Sequence, residues 1–254
     1  MVLFPNAKIN IGLNVTEKRN DGFHNIESIF YPVFELYDVL EIVKCEELKF
    51  TSTGIEIPGS KKDNLCLKAY QLLKQDFNIS PVHIYLLKVI PIGAGLGGGS
   101  ADAAFTLKGL NDLFDLKLTD EQLISYAQKL GSDCAFFIKN KPVFAFNKGD
   151  EFKDIELDLL TFEIKIEYPN IHIGTAEAYA GIHPKEPVKN IKSLIAVAPI
   201  ENWKETIKND FEESIFPNHP EIKELKEKMY KNGAVYASMT GSGSAVYGVF
   251  ERSE

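Results

Sequence analysis

The sequence predicts an α+β protein of two domains, and three observations lead there. Its 254 residues exceed one ordinary domain. Stretches with strand alternation and stretches with helical spacing are mixed along the chain. After about residue 153 the pattern restarts with a new strand, so the boundaries are expected at 1–153 and 154–254.

From the N-terminus, "AKINIGLNVTEK" alternates Ile9, Ile11, Leu13 and Val15 with polar neighbours, the period-2 signature of a half-buried strand. "RNDGFHN" is a loop turned at Asp21-Gly22. "IESIFYPVFELYDVLEIVKCEELKFTSTG" reads as further strands, rich in β-branched and aromatic residues. "DNLCLKAYQLLKQDF" places Leu65, Ala69, Leu72 and Leu73 at helical spacing, with Asp63 as the expected N-cap. "PVHIYLLKVIP" is a strand ended by Pro91, followed by a glycine loop and a helix from about Ser100 to Leu113.

"LTDEQLISYAQKLG" is a helix opened by Thr119 with Gln122 three residues on, and closed by Gly131. "SDCAFFI" is helix or turn and "KPVFAFNKG" is strand. In the second half, "FEIKIEYPN" is a strand, "GTAEAYAGI" a short helix, "NDFEESIFPNHPEIKELKEKMYKNG" helices, and "AVYASMTGSGSAVYGVFE" two strands around a Gly/Ser turn.

Composition narrows the function. Hydrophobic residues make up 44% and charged ones 25%, the balance of a soluble globular protein. A net charge of −8 argues against a broad nucleic-acid-binding face, although a few local donors suffice for a small anion. Cys45, Cys66 and Cys134 lie far apart with no metal-ligand spacing, which fits a reducing compartment. Pro5 and Lys8 interrupt the first apolar run, and no stretch approaches the roughly 20 apolar residues of a membrane span. The expected setting is the cytoplasm, with a small-molecule substrate and neither nucleic acid nor membrane as partner.

The chemistry concentrates in "PIGAGLGGGSADAA", Pro91 to Ala104. Gly93, Gly95 and Gly98 satisfy GxGxxG, but the acidic strand end required about twenty residues on is replaced by helix and turn. Gly93, Gly98 and Ser100 fit GxxxxGK[ST], except that Gly99 stands where the lysine belongs. A third reading needs no side-chain cation: successive backbone N–H groups and the positive end of a helix form an anion cradle. The plain alternative, a flexible linker, fits poorly with Leu96 inside the loop and an alanine-rich helix directly after it.

This loop closely resembles the phosphate loop of the GHMP kinases, which phosphorylate small alcohols. "AKINIGLNVTEKRNDGFHNIESIF" and "TGSGSAVYGVF" resemble the family's other two signature regions, in the same order. AKxN followed by DGxH is similar to the branch acting on a cytidine-diphosphate-linked methylerythritol. The resemblance implies the two-domain GHMP kinase fold, with a ribosomal-protein-S5-like N-terminal domain holding a left-handed βαβ crossover and a ferredoxin-like C-terminal domain. It also implies ATP and Mg²⁺ as co-substrate and ion. Other members, such as homoserine or mevalonate kinases, remain alternatives, as does a non-catalytic nucleotide sensor on the same fold.

By that resemblance, Asp133 in "GSDCAFF" is the catalytic base and Lys8 its partner; their plain readings are a helix N-cap and a solvated strand face. The ATP cradle is Pro91, Ile92, Gly93, Ala94, Gly95, Leu96, Gly97, Gly98, Gly99, Ser100 and Ala101, with the Ser100 hydroxyl on phosphate or magnesium, or else a simple cap. Asn64, Leu65 and Lys88 are nucleotide-side candidates; alternatively they are a cap, a core residue and a surface charge. Asn10, Phe23 and His24 face the substrate, Phe23 stacking on cytosine where a tyrosine is common and His24 bonding the base edge. Tyr179 is expected on the other face of the base or in helix packing, with Thr175 nearby. Thr240 and Gly241 close the site beside the phosphates. Asp102 is structural, its charge suiting the first turn of a helix.

Overall fold

The computed structural model describes residues 1–252. In chain order its strands and helices begin with β1 (Val2–Leu3), β2 (Asn6–Lys18), β3 (His24–Tyr37), β4 (Val39–Lys44), β5 (Lys49–Gly54), α1 (Leu65–Asp76), β6 (Val82–Lys88) and α2 (Gly98–Leu113). They continue with α3 (Asp120–Gln128), α4 (Phe136–Lys139), β7 (Val143–Phe146), β8 (Glu151–Asp154), β9 (Phe162–Glu167), α5 (Thr175–Ala180) and α6 (Ile191–Val197). The last are α7 (Trp203–Thr206), α8 (Phe211–Ile215), α9 (Pro220–Lys231), β10 (Tyr236–Met239) and β11 (Val246–Glu251). Two compact units emerge: one of Met1–Ala7, Pro32–Ile92 and Gly97–Lys141, the other of Lys8–Tyr31, Gly93–Leu96 and Pro142–Glu254.

In the first unit a four-stranded sheet has the order β1-β4-β6-β5. β5 and β6 are parallel, which requires a crossover, and α1 supplies it. The remaining pairs are antiparallel. β6 is the strand that aims the glycine loop: Val82, Ile84, Leu86 and Lys88 are buried, in alternation with His83, Tyr85 and Leu87. α1 and α2 pack on each other, and α2 also meets α3, α4 and β4. Small residues on α2, including Ala101, Ala104 and Gly109, allow the close approach, while Leu107 and Leu110 fill the core. Each fully buried leucine contributes roughly 1.5–3 kcal/mol.

Helix ends follow sequence chemistry with two corrections. Thr119 and Gln122 form the expected capping box on α3. The N-cap of α1 is Asn64, not Asp63: the Asn64 side chain accepts from the Cys66 N–H at 2.9 Å. Asp63 instead ends a 3-10 turn over Lys61–Asp63. α3 reaches its C-cap at Lys129, two residues before the expected Gly131, whose N–H still returns to the Ala127 carbonyl at 3.3 Å.

The second unit contains an antiparallel sheet β10-β11-β9 and a sheet ordered β2-β3-β7-β8. Its core joins Leu13 and Val15 of β2 to Phe211 and Ile215 of α8, Ile222 and Met229 of α9, and Ala237, Met239 and Val246 of the β10–β11 hairpin. Elsewhere in this unit Trp203 is buried, its ring edge-on to Tyr236 at 5.6 Å and its N–H donating to the Ala198 carbonyl at 3.1 Å. β2 departs from expectation: from Asn6 to Leu13 every residue is buried, so the polar face carrying Lys8 and Asn10 is covered as well as the apolar one.

Candidate active site

In the second unit, β2 lays out a polar row inside the protein. Lys8 is 3% exposed, so the solvated-face alternative is set aside. Its ammonium donates to Asn10 Oδ1 at 2.5 Å and stands 4.8 Å over the Phe30 ring. Asn10 is the hub of the row. Its Nδ2 donates to Ser28 Oγ at 2.9 Å, its backbone N–H donates to Thr240 Oγ1 at 3.0 Å, and its carbonyl accepts from Tyr247 at 2.9 Å. Asn10, expected to face substrate, also bonds to Lys8, Ser28 and Thr240 within the protein.

The Gly/Ser turn after β10 lies against the opening of the glycine loop. Thr240 Oγ1 donates to the Gly95 carbonyl at 3.1 Å, and the Ala245 N–H reaches the Ala94 carbonyl at 3.2 Å. Gly95 has φ +79°, and a Cβ there would stand 2.0 Å from the Thr240 carbonyl oxygen, so glycine is required twice over. The Leu96 carbonyl accepts from the Lys8 N–H at 2.9 Å, tying the loop to β2. Asn209 holds the same turn from behind, donating to the carbonyls of Met239 and Gly241 at 2.8 and 2.9 Å. Sequence reasoning missed Asn209, and it missed His172, whose ring lies against Gly93.

Beside the DGFH turn, His24 and Tyr179 stack at 4.4 Å with ring planes 19° apart, and Phe211 meets Tyr179 edge-on at 4.8 Å. Phe23 is 61% exposed with the Lys148 ammonium 5.5 Å over its ring. The DGFH turn is built locally: Asp21 accepts from Arg19 and from the Phe23 N–H. Burial and the nearby Lys18 hold the His24 imidazolium less stable than usual, so the ring is neutral at neutral pH and keeps one donor and one acceptor. Tyr179 thus meets its packing reading, against Phe211 and the core, and its ring stacks on His24. Thr175 is exposed at the start of α5.

The first unit carries the helix end of the loop. α2 starts at Gly98 from Gly97 in the left-handed region, with no side-chain cap, and its first N–H groups are left for another acceptor. Gly98 is forced by close approach, since a Cβ would meet Ile90 and the Lys88 ammonium at 2.8 Å. Nothing lies within 4 Å of a Cβ built on Gly99, so the position where a P-loop carries lysine opens to space. Pro91 and Ile92 are half-buried and lead into the loop, while Ala94, Leu96 and Ala101 pack inward. Ser100 is half-buried beside the Cys134 thiol, which burial pushes up to about 11.

Asp133 sits half-buried in the turn before α4, and Ser132 Oγ donates to its Oδ1 at 3.3 Å. The N-cap of α4 is Ala135, so the capping alternative for Asp133 does not hold. Asn64 is the cap that one of its readings proposed, and Leu65 is half-buried in the first turn of α1. Lys88 is not the surface charge that one of its readings proposed. It is 3% exposed, and its ammonium is held by Asp38 and by Asp102 Oδ2 at 2.8 Å. Among the described residues no group of His, Cys, Asp or Glu side chains is arranged to hold a metal ion, and no helix is long and apolar enough to cross a membrane.

Comparison with known proteins follows the same lines. The model "GHMP kinases N terminal domain" matches residues 64–141, and "GHMP kinases C terminal" matches 191–254. A 4-diphosphocytidyl-2-C-methyl-D-erythritol kinase of Bacteroides thetaiotaomicron is 54% identical over 99% of this chain and 92% of its own. One of Cytophaga hutchinsonii is 52% identical over 98% and 92%. The crystal structure of a 4-(cytidine 5'-diphospho)-2C-methyl-D-erythritol kinase superposes with a TM-score of 0.81 at 30% identity, covering 98% of this chain and 90% of that one. A homoserine kinase of Cytophaga hutchinsonii, at 15% identity and a TM-score of 0.69, shares the fold alone. The chain belongs to the 4-diphosphocytidyl-2-C-methyl-D-erythritol kinase family of the GHMP kinases.

Proposed function

We propose that this protein transfers the γ-phosphate of ATP to a hydroxyl of 4-diphosphocytidyl-2-C-methyl-D-erythritol, giving the 2-phosphate, in the non-mevalonate route to isoprenoid precursors. The observation that carries the reading is the likeness to kinases of that name at 54% identity along 99% of the chain.

Phosphoryl transfer asks for position and charge more than for covalent help. The backbone from Gly93 to Ala101 cradles the triphosphate, and the open space at Gly99 together with the uncapped α2 terminus fits that anion. Ser100 and the phosphates would hold Mg²⁺, which would supply positive charge against the transferring group. Asp133 accepts the proton of the acceptor hydroxyl from about 3 Å. Lys8, aligned by Asn10, steadies that carboxylate and the developing charge. Phe23 and Tyr179 take the two faces of cytosine, the neutral His24 reads its edge, and Thr175 lines the same pocket. The three free cysteines support a cytoplasmic setting.

The test is phosphate transfer from labelled ATP to the cytidyl compound, with methylerythritol lacking the cytidine diphosphate, homoserine and mevalonate as alternative acceptors. Transfer is expected only to the cytidyl compound. Equal labelling of homoserine or mevalonate would overturn the specificity, and nucleotide binding without transfer to any acceptor would overturn the enzyme assignment.

A further inference from the structure

Beneath the glycine loop, the first unit gathers two carboxylates around one ammonium, all between 0 and 3% exposed. Lys88 is the last residue of β6, on the inward register with Ile84 and Leu86. Its ammonium donates to Asp38 Oδ2 and to Asp102 Oδ2. The other oxygen of Asp38 accepts two backbone N–H groups, Val89 at 2.6 Å and Ile90 at 2.9 Å. These are the residues by which the chain leaves β6 for the loop. Asp102 lies in the opening turns of α2, where the loop ends.

We propose that Asp38, Lys88 and Asp102 form a staple that fixes both ends of the glycine loop and so positions its N–H groups for the phosphates of ATP. Asp38 clamps the exit from β6, Asp102 clamps the start of α2, and Lys88 ties the two. The inference rests on the reading that this loop receives ATP.

The physical need is clear. A loop stripped of side chains for close approach to phosphate has few contacts of its own, here hydrogen bonds at Ala94, Gly95 and Leu96, and its two ends need separate restraint. Ordering such a segment at the moment of binding would subtract from affinity, and preorganisation removes that cost. The Lys88 ammonium also lies under Gly98, where a lone cation would oppose the helix dipole. Pairing with the two aspartates offsets that charge, so no uncompensated cation faces the helix start, and the space above Gly99 is open. Asp102 Oδ1 has no hydrogen-bond partner, so the grip on α2 runs through Oδ2 alone.

Asp102 is a positioning residue in this account, and its replacement can be tested without stranding a charge. Asp102→Leu leaves the balanced Lys88–Asp38 pair, so the protein is expected to fold. The variant's KM for ATP is expected to rise roughly tenfold, with kcat and the KM for the cytidyl acceptor within about twofold of wild type. Asp102→Asn keeps an acceptor for Lys88 and is expected to restore the KM for ATP. Should Asp102→Leu fail to fold, Asp102→Ser, whose hydroxyl is too short to reach Lys88, takes its place under the same criterion. An unchanged KM for ATP, or kcat and both KM values moving together, overturns the staple. Wild-type protein that transfers no phosphate from ATP overturns the underlying reading instead.

Discussion

Asp102 sits where burial is at odds with ionisation. Burial raises its carboxyl to about 7, the Lys88 ammonium opposes that rise, and Asp38 adds to it. A group whose folded pKa exceeds its unfolded value binds extra protons in the native state between the two. Its contribution to stability is therefore fully present below the unfolded value and is lost as pH rises through about 7. Asp102→Asn removes this penalty, so melting curves at pH 5 and pH 8 are expected to show the variant gaining on wild type at the higher pH. At Asp133 the expectation is catalytic: Asp133→Asn lowers kcat by a hundredfold to ten-thousandfold, in the range of general-base loss, with the melting temperature retained. Wild-type turnover in that variant would remove the base assignment. These two aspartates also measure what a sequence can tell at this scale. The base role proposed for Asp133 comes only from family resemblance, because an aspartate after a helix-ending glycine has an ordinary structural reading. Lys88 was misread although the signal was present: alternation over Val82, Ile84 and Leu86 puts position 88 on the buried face, where an ammonium needs carboxylates. Asp38 gave no local signal, since its partners are 50 or more residues away.

The elements were more legible than the side chains they carry. Alternation found β2 and β9, the Thr119–Gln122 pair found the start of α3, and the Gly/Ser turn found the β10–β11 hairpin. β1 and β8 escaped because two and four residues are too few to show a period. α6 and α7 escaped for the same reason, seven and four residues long in a stretch of mixed polarity. The cover over the polar face of β2 was also hidden, because the residues that bury it, Thr240 and Tyr247, are far along the chain. At this scale the glycine loop makes the sharpest prediction. In Gly95→Ala the new methyl would stand 2.0 Å from the Thr240 carbonyl at a φ that L-residues avoid. The loop and the turn must separate, at a cost of about 1–3 kcal/mol in stability. The variant should lose ATP-dependent turnover, and Asn64→Ala, which removes only the α1 cap, should cost about 1 kcal/mol. Full activity in Gly95→Ala would mean that the loop and turn need not touch.

Across the whole molecule, the α+β class and the GHMP kinase fold followed from the sequence because three motifs appear in order along nearly its full length. The arrangement in space was less accessible: segments 8–31 and 93–96 cluster with residues after 142, a grouping created by long-range pairing such as Asn10 with Thr240. Binding of ATP is a property at this scale. A non-hydrolysable ATP analogue with Mg²⁺ at about a hundred times its Kd should add about 2.7 kcal/mol of stability, read as a rise in melting temperature. No rise at saturating analogue would count against the nucleotide site. Trp203 makes such melting curves more informative than a single transition. It is the chain's one tryptophan, and it lies in the second unit against Tyr236. Indole emission thus reports on that unit, whereas far-ultraviolet circular dichroism sums the backbone of both. Coincident transitions by the two probes indicate one cooperative melt, and an offset resolves the order in which the units come apart.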